Sequence, residues 1–277
     1  SPGFGFNLPG RVRLGVGYRL TYMTLERFQG AEGSPGLDFE LSGINVASFR
    51  AGVQWTAIED EEGATGATRN NLELGAAYRH RTDVDVSNDT GIALAQEFSD
   101  ITSSFTLPAK LNAGIRWDHQ RLGLVADFEY TLQSQNDTSS LNGTAVASMA
   151  DVSVDNVFKW SDSITLRSGL EYRLMEEGQL AIRAGYTYDG EVTNPRYPTA
   201  FGTPAAATHV ITAGAGYDGG AWEINLAGAY RFGEATITDA DVDPMDPNRD
   251  TCQFCSVAGE YSIGLMGLYL DFSYDLN

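Results

Sequence analysis

The chain has 277 residues and a formal net charge of -19, with 18 lysine and arginine residues against 37 acidic ones. This acidic balance excludes a protein that binds nucleic acid through a basic surface, because phosphate contacts need clustered positive charge. No apolar run approaches the roughly 18 residues that a membrane-spanning helix needs, and the run Ile263–Leu270 is much too short. A mean hydropathy of -0.22 is also typical of a membrane β-barrel, because only alternate strand residues face lipid.

Segments of alternating polarity recur along the whole chain. The first complete one, from Val12 to Tyr22, places apolar residues on one face and arginines and glycines on the other. Similar segments follow at residues 49–56, 72–79, 122–132, 211–217, 222–231 and 268–276, and a long strand is predicted at about residues 93–117. Pro108 interrupts this long strand, because proline cannot donate a hydrogen bond to a sheet. A period of two residues indicates β-strands. We predict about ten complete antiparallel strands, each about ten residues long, which is the length that crosses a bilayer.

The clearest pair of strands is the hairpin Ile164–Gly190, with a turn predicted at Met175–Gly178. One face of this hairpin carries leucine, isoleucine and, towards the strand ends, tyrosines such as Tyr172. The other face carries glycines and full charges, including Arg167 and Glu171. This combination is typical of a strand that lies between lipid and a water-filled lumen.

The connections between the segments alternate in length. Short turns are predicted near Pro9, His119, Glu176 and Gly219, and long polar loops near Ser34, Ser87, Asp137, Pro198 and Asp246. Only the acidic connection after Glu59 is longer than its place in the alternation predicts. Short turns on one side and long loops on the other are typical of outer-membrane barrels, whose long loops lie outside the cell.

Aromatic residues support the same orientation. One set falls at the strand ends next to the long loops: Tyr18, Tyr78, Tyr130, Tyr186 and Tyr230. A second set falls next to the short turns: Trp55, Trp117, Tyr172, Tyr217, Trp222 and Tyr274. Two such girdles predict an all-β, transmembrane, antiparallel up-and-down β-barrel. The alternative is a soluble β-barrel or sandwich, in which the apolar face forms a core.

Several short motifs carry a resemblance to a known family. They are Phe105-Thr106-Leu107-Pro108-Ala109 followed by Gly114, Trp160-Ser161-Asp162-Ser163 followed by Gly169-Leu170-Glu171-Tyr172, Arg183-Ala184-Gly185-Tyr186 with Tyr188-Asp189, and His209 with Gly214-Ala215-Gly216-Tyr217. In this order and spacing the chain resembles the outer-membrane long-chain fatty acid and hydrophobic-compound transporters of the FadL/TodX type. The motifs cover the chain from Phe105 to its end, and residues 1–86 fit more loosely.

The resemblance implies a 14-stranded barrel with an N-terminal plug. Residues 1–277 are therefore expected to form a single outer-membrane β-barrel domain that lacks its N-terminal portion, namely the plug and about four strands. It also implies passive uptake of long-chain fatty acids or other hydrophobic compounds across the outer membrane of a Gram-negative bacterium. Such chains usually end on an aromatic residue, and Asn277 departs from that pattern.

The face predicted to line the lumen carries many arginines and acids. The simplest interpretation is a cross-strand network of ion pairs around water. A second interpretation is that an arginine binds the carboxylate of a ligand, because a guanidinium fork matches that geometry. The candidates are the mid-strand residues Arg116, Arg167 and Arg183, with the lumen acids Glu171 and Asp127.

The last long loop carries two further candidate features. Asp239, Asp241, Asp243 and Asp246 are weak candidates for calcium ligands, because calcium takes six to eight oxygens, although an acidic solvated loop is the commoner explanation. Cys252 and Cys255 are predicted to form a disulfide if the loop lies in an oxidising compartment.

The sequence therefore favours a transporter over the other classes of function. An enzyme is not predicted, because His80, His119 and His209 have no nucleophile at a fixed offset. No cofactor is expected; the expected partners are outer-membrane lipids and an apolar small molecule. The alternatives are a structural or interaction barrel, with partner proteins at its long external loops, and a general polar porin.

Overall fold

The computed structural model describes residues 2–31, 34–60, 70–93, 95–174, 179–194, 206–242 and 257–275. This part of the chain is almost entirely antiparallel β-sheet, with one 3-10 turn at Gln133–Gln135. The strands are β1 (Gly3–Leu8), β2 (Val12–Ala31), β3 (Ser34–Glu59), β4 (Asn70–Arg79), β5 (Thr82–Ala93), β6 (Gln96–Leu107), β7 (Lys110–His119), β8 (Leu122–Thr131), β9 (Thr138–Ala145), β10 (Ala150–Val157), β11 (Ser163–Arg173), β12 (Leu180–Asp189), β13 (Thr208–Asp218), β14 (Trp222–Ile237) and β15 (Gly259–Tyr274). No helix among the described residues is long and apolar enough to cross a membrane.

Eleven strands lie side by side as a barrel wall. Their order is β1-β2-β3-β4-β7-β8-β11-β12-β13-β14-β15, and each neighbouring pair is antiparallel. In the hairpin β11–β12, Glu171 lies opposite Arg183 and Tyr172 lies opposite Ile182, so the predicted alternation of charged and apolar faces is confirmed. We call the face with Glu171 and Arg183 the inner face and the face with Tyr172 the outer face.

The outer face carries aromatic contacts at both ends of the wall. At the end next to the long connections, which we call the upper end, His80 stacks on Phe49 with ring centroids 4.8 Å apart, and His209 lies 5.3 Å from Phe232. At the lower end, Trp117 stacks on His119 at 5.5 Å, and Tyr217 lies 5.3 Å from Trp222. Leucine, isoleucine, valine and alanine fill the space between the two bands, so the two predicted girdles are present as ring clusters.

The rows of paired residues climb across the wall. The row that begins at Val12, at the lower end of β2, passes through Trp55, Ile115 and Tyr186 and reaches Tyr230 at the upper end of β14. A flat sheet would keep such a row at one level. Strands that are tilted and staggered produce the climb, and this stagger is what closes a sheet around an axis. Within the described residues β1 and β15 do not pair with each other, so the wall is curled and open.

The prediction of loops near Ser34, Ser87 and Asp137 is wrong, because most of the described chain in these three regions forms strands. β2 and β3 extend as one long hairpin, the predicted loop at residues 87–90 lies inside β5, and β9 occupies most of the predicted loop at residues 134–144. With β6 and β10 these strands form a layer above the wall, which we call the outer layer. The chain therefore has more strands than the ten predicted, since long polar sequences can pair when they pack on a core.

The outer layer has the only buried apolar cluster found among the described residues. Leu41 and Val84 are fully buried, and Val86, Phe98 and Ile101 pack with them. Glycine allows the close approach of the two sides: a Cβ on Gly43 would lie 1.9 Å from the carbonyl oxygen of Asp85. This small core holds the extended hairpins together as a folded unit outside the barrel wall.

Besides β2 and β3, which run on from the wall into the outer layer, two short links join the outer layer to the wall. β4 continues into β5 after only His80 and Arg81, and β6 continues into β7 after Pro108 and Ala109. Arg79 Nη2 donates a hydrogen bond of 3.0 Å to the Pro108 carbonyl oxygen, which ties the two links together. Proline has no amide hydrogen to donate to the sheet, which explains the break that the sequence predicted at Pro108.

We expect the outer layer to lose stability in acid. The pKa of Asp83 lies below its ordinary value: burial raises it, but hydrogen bonds from Thr106 and Arg81 outweigh burial. Hydrogen bonds from Ser134 and from the Tyr130 hydroxyl also lower the pKa of Asp162, which lies in the link before β11. A carboxylate with a lowered folded-state pKa stabilises the fold above its unfolded pKa, and this stabilisation is lost as the pH falls through the folded pKa.

Hydrogen exchange of the outer layer at pH 5 and pH 3 measures this effect. We expect lower protection factors (intrinsic rate divided by observed rate at the same pH) at pH 3 than at pH 5, with a modest change, because both groups are largely exposed and solvent screens them. The double variant Asp83→Asn/Asp162→Asn is the control and should show a smaller difference between the two pH values. If the variant showed the same difference between pH 5 and pH 3 as the wild type, the acid sensitivity would not come from Asp83 and Asp162.

Candidate functional site

The inner face carries a network of cross-strand ion pairs. Arg183 Nε lies 2.8 Å from Glu171 Oε2, and its Nη1 donates to Asn225 at 2.9 Å. Arg231 Nη2 lies 3.0 Å from Asp189 Oδ2, which joins β14 to β12. These side chains are exposed to the interior of the wall, so each pair contributes at most about 1 kcal/mol of stability. The network interpretation from the sequence is therefore supported by the pairing of named residues.

The structure places all five predicted lumen residues on the inner face, but it does not bring them to one site. Arg116 is bound by Asp118 on its own strand at 2.8 Å, Arg167 by Asp127 at 3.0 Å, and Arg183 by Glu171. Each predicted arginine thus already has a carboxylate partner. A ligand carboxylate would have to displace that partner. The role of these three arginines in ligand binding therefore stays a prediction.

A cavity of about 660 Å³ lies inside the upper end of the wall. Its charged side carries Arg167, Arg231 and Lys110, and Lys110 Nζ lies 2.5 Å from Glu129 Oε1. Arg167 Nη1 also lies 3.9 Å from Glu129 Oε2, so one carboxylate serves two cations. Asp127, Glu129 and Asp189 pair with these three cations, so this side of the cavity is charged but close to neutral.

The β15 side of this cavity is apolar. The inner face of β15 carries Tyr261, Ile263, Leu265 and Tyr269, whereas the other strands of the wall carry charged and small residues there. Leu265 is 58% exposed and Tyr269 63% exposed, although both face the interior. The outer face of β15 is apolar as well, with Leu268 and Leu270. A cavity that combines an apolar surface with charged, hydrogen-bonding side chains matches a molecule with an apolar body and a polar end.

A second cavity, of about 690 Å³, lies lower. Arg13, Glu73, Arg116 and Asp127 line it together with glycines, alanines and apolar side chains such as Leu74. Arg13 Nη2 lies 3.9 Å from Glu73 Oε1, and Gln54 donates to Glu73 at 3.2 Å. The two acids and two arginines there balance each other, so this cavity offers no unpaired charge to a ligand.

The remaining sequence candidates lie apart from these cavities. Asp241 Oδ2 accepts hydrogen bonds from the backbone and hydroxyl of Thr238 at 2.8 and 2.7 Å, so it caps its own turn. No group of three metal-ligating side chains occurs within the described ranges, and Asp243, Asp246, Cys252 and Cys255 lie outside them. The calcium site and the disulfide therefore stay predictions. The histidines His80, His119 and His209 all lie in the aromatic clusters.

Three solved structures with a similar strand arrangement identify the fold. Over 99% of this chain, a FadL homologue from Pseudomonas aeruginosa superposes with a TM-score of 0.60 and 17% identity. The ΔS2S3 mutant of the TodX monoaromatic hydrocarbon channel superposes over 99% of this chain, with a TM-score of 0.53 and 16% sequence identity. The Ralstonia pickettii toluene transporter TbuX superposes over 82% of this chain, with a TM-score of 0.51 and 19% sequence identity.

The chain has the fold of the FadL/TodX-type barrels. It spans 66%, 69% and 60% of the lengths of the FadL homologue, TodX and TbuX structures, so it matches about two thirds of a FadL-type barrel. No family model matches the sequence, and no curated protein matches it. All three neighbours are described as transporters, channels or their homologues and none as an enzyme.

Several site residues were not among the sequence candidates. Arg231 and Lys110 were not chosen, because their place in one cavity depends on the strand pairings from β7 through β8, β11, β12 and β13 to β14 and on the curl of that wall. The sequence does contain a signal for the apolar wall. The run Ile263–Leu270 interrupts the alternation and is apolar on both faces of β15, which marks a lumen surface that is not polar.

Proposed function

We propose that the protein is an outer-membrane channel of a Gram-negative bacterium for passive uptake of long-chain fatty acids or other hydrophobic compounds. The observation that carries the proposal is the upper cavity, in which the apolar residues Tyr261, Ile263 and Leu265 of β15 share one space with charged side chains of the wall. The FadL-type fold and the two aromatic bands on the outer face support the placement in a membrane. The proposed uptake is passive, so the proposal assigns no residues to energy coupling.

Uptake into lipid vesicles tests the proposal. Vesicles that contain the whole protein should accumulate a long-chain fatty acid and toluene faster than empty vesicles. The double variant Ile263→Asn/Leu265→Asn should reduce uptake roughly tenfold, because it removes about 1.5 kcal/mol or more of apolar contact with the ligand. Thr165→Asn, on the opposite side of the same cavity, is the matched control and should leave uptake near the wild-type rate.

Ion conductance separates the proposal from a general polar porin. A channel for hydrophobic molecules should conduct small ions poorly in a planar bilayer, whereas an open porin conducts them strongly. Large ohmic currents together with no uptake of either hydrophobic probe would overturn the proposal. Partner proteins at the external connections stay a prediction from the sequence.

A further inference from the structure

The outer layer ends in a strand that has a neighbour on one side only. Among the described residues, β10 pairs with β9 along its whole length and with no other strand. Natural sheets protect such edges with lysine, proline, a bulge or a very short strand, because free backbone groups pair with other chains. β10 is eight residues long, has no register shift against β9 and contains neither lysine nor proline. Its free side is therefore open to a further strand.

The free backbone groups of β10 belong to alternate residues. Phe158, directly after β10, donates its backbone N–H to the carbonyl oxygen of Asp137, directly before β9, at 2.7 Å. Val146, directly after β9, donates to Glu97 in β6 at 3.0 Å, as the same alternation requires. Successive residues of an antiparallel strand direct their N–H and C=O groups to opposite sides. The groups that point away from β9 are therefore those of Asp151, Ser153, Asp155 and Val157.

The side chains along this edge are acidic on one face and apolar on the other. Asp151, Ser153 and Asp155 are exposed on the first face. Val152 and Val154 are half-buried on the second, and Val152 packs against the apolar cluster of the outer layer. The strands β5, β6, β9 and β10 together carry seven acidic residues and no lysine or arginine. A strand that joins this edge therefore meets negative charge that these four strands do not balance.

The two aspartates of β10 disfavour a second copy of this chain at the edge. Two β10 strands that paired antiparallel about Ser153 would place each Asp151 directly opposite an Asp155. Like charges that lie directly opposite each other destabilise a pair of strands. A segment with lysine or arginine at these two positions would instead form cross-strand pairs of opposite charge, which stabilise the sheet. Charge therefore selects a basic partner over a second copy.

From these observations we infer that β10 docks an extended basic segment of a partner polypeptide, which adds to the outer layer as one more β-strand. Backbone hydrogen bonds hold the segment, and its alternate side chains select it: basic residues face the two aspartates, and apolar residues lie beside Val152 and Val154. Met149, 78% exposed in the turn before β10, adds an apolar surface at one end. The edge belongs to the outer layer, so the inference goes beyond the proposed uptake function and does not depend on it.

Binding of matched synthetic peptides to the whole detergent-solubilised protein tests the inference. The probe is a fluorescent Gly-Lys-Val-Thr-Val-Lys-Gly peptide, and its acidic counterpart has glutamate in place of both lysines. Fluorescence anisotropy should show roughly tenfold tighter binding of the basic peptide, and added salt should weaken that binding. A basic peptide that is methylated on the backbone nitrogens of its lysines and threonine keeps its charge but cannot donate to the edge. It should bind roughly tenfold more weakly than the unmethylated peptide.

A proline variant locates the binding at the free side of β10. Ser153→Pro removes an N–H group that points away from β9, so the pairing with β9 is kept. It should weaken the basic peptide roughly tenfold, whereas Ser153→Ala keeps the N–H group and should bind as the wild type does. Unchanged hydrogen exchange in β5 and β6 checks that the outer layer of the proline variant is folded.

A charge variant tests the selection of a basic partner. Asp151→Asn/Asp155→Asn should lose most of the preference for the basic over the acidic peptide. The control Asp85→Asn/Asp89→Asn removes two exposed charges from β5, which has a neighbouring strand on each side, and it should keep the preference.

Three results would overturn the inference. Equal binding of the basic and acidic peptides by the wild type would show that charge selects nothing. Binding that survives both Ser153→Pro and methylation of the peptide would show that the peptide adheres to the acidic surface without adding a strand. If the wild type binds neither peptide, another part of the chain or a second copy already covers the edge. None of these results affects the proposed uptake, which is measured separately in vesicles.

Discussion

Replacing Ala213 with arginine is expected to destabilise the protein in a lipid bilayer by about 2–4 kcal/mol. Ala213 lies on the outer face of β13, midway between Tyr217 and His209, so it falls between the two aromatic bands. An arginine there would place a charge in hydrocarbon near the centre of the bilayer, where its desolvation is most costly. The measurement is the free energy of unfolding from denaturant titration in lipid vesicles.

The neighbouring residue provides the control for this prediction. Thr212 lies on the inner face of the same strand, opposite Gly185, which leaves room for a long side chain. Thr212→Arg should change the unfolding free energy by less than about 1 kcal/mol, because the charge stays in water. A larger cost for Thr212→Arg than for Ala213→Arg would mean that the faces are reversed, as in a soluble barrel with an apolar core.

The second large effect is expected at Leu41, in the core of the outer layer. Leu41 is fully buried among Val84, Val86 and Phe98, and Leu41→Ala leaves a cavity in a small cluster that cannot collapse easily. We expect a loss of about 2–5 kcal/mol in the local stability of the outer layer, seen as faster hydrogen exchange in β3, β5 and β6.

Ile44 is the matched control on the same strand. Its side chain is 56% exposed on the other face of β3, so Ile44→Ala should change exchange in the outer layer very little. If Leu41→Ala also left exchange unchanged, the outer layer would not be held by its apolar cluster. If exchange rose equally in β11–β12, the outer layer and the wall would unfold together rather than as separate units.

The sequence predicts the wall of the barrel well, because alternation is a local property. Each strand of the hairpin β11–β12 shows its two faces within its own residues, and turns and aromatic ends give the orientation. In the outer layer β6 was predicted, as the part of the long strand before Pro108, but β5 and β9 were missed in whole or in part for the opposite reason. The strands β5 and β9 are rich in Ser, Thr, Asn and Asp, and they become strands only by packing on a core formed with distant residues such as Phe39.

The site was predicted only in part, since its residues meet through strand pairing. Arg167 and Arg183 were found because they sit mid-strand, but a single sequence does not show that each already has an acidic partner. Lys110 and Arg231 look like any other lumen cations until the strands between β7 and β14 are placed side by side. Their place in one cavity comes from the curl of the wall, which a single sequence does not show.

The short link at Pro108 connects the inner face of the wall to the outer layer. Arg79 is the last residue of β4 and Lys110 the first of β7, so both lie where the wall gives way to the outer layer. Arg79 also donates a hydrogen bond to the Pro108 carbonyl oxygen, so its guanidinium is tied to both parts of the molecule. Any change in the angle between β5–β6 and the wall would have to be accommodated at that hydrogen bond.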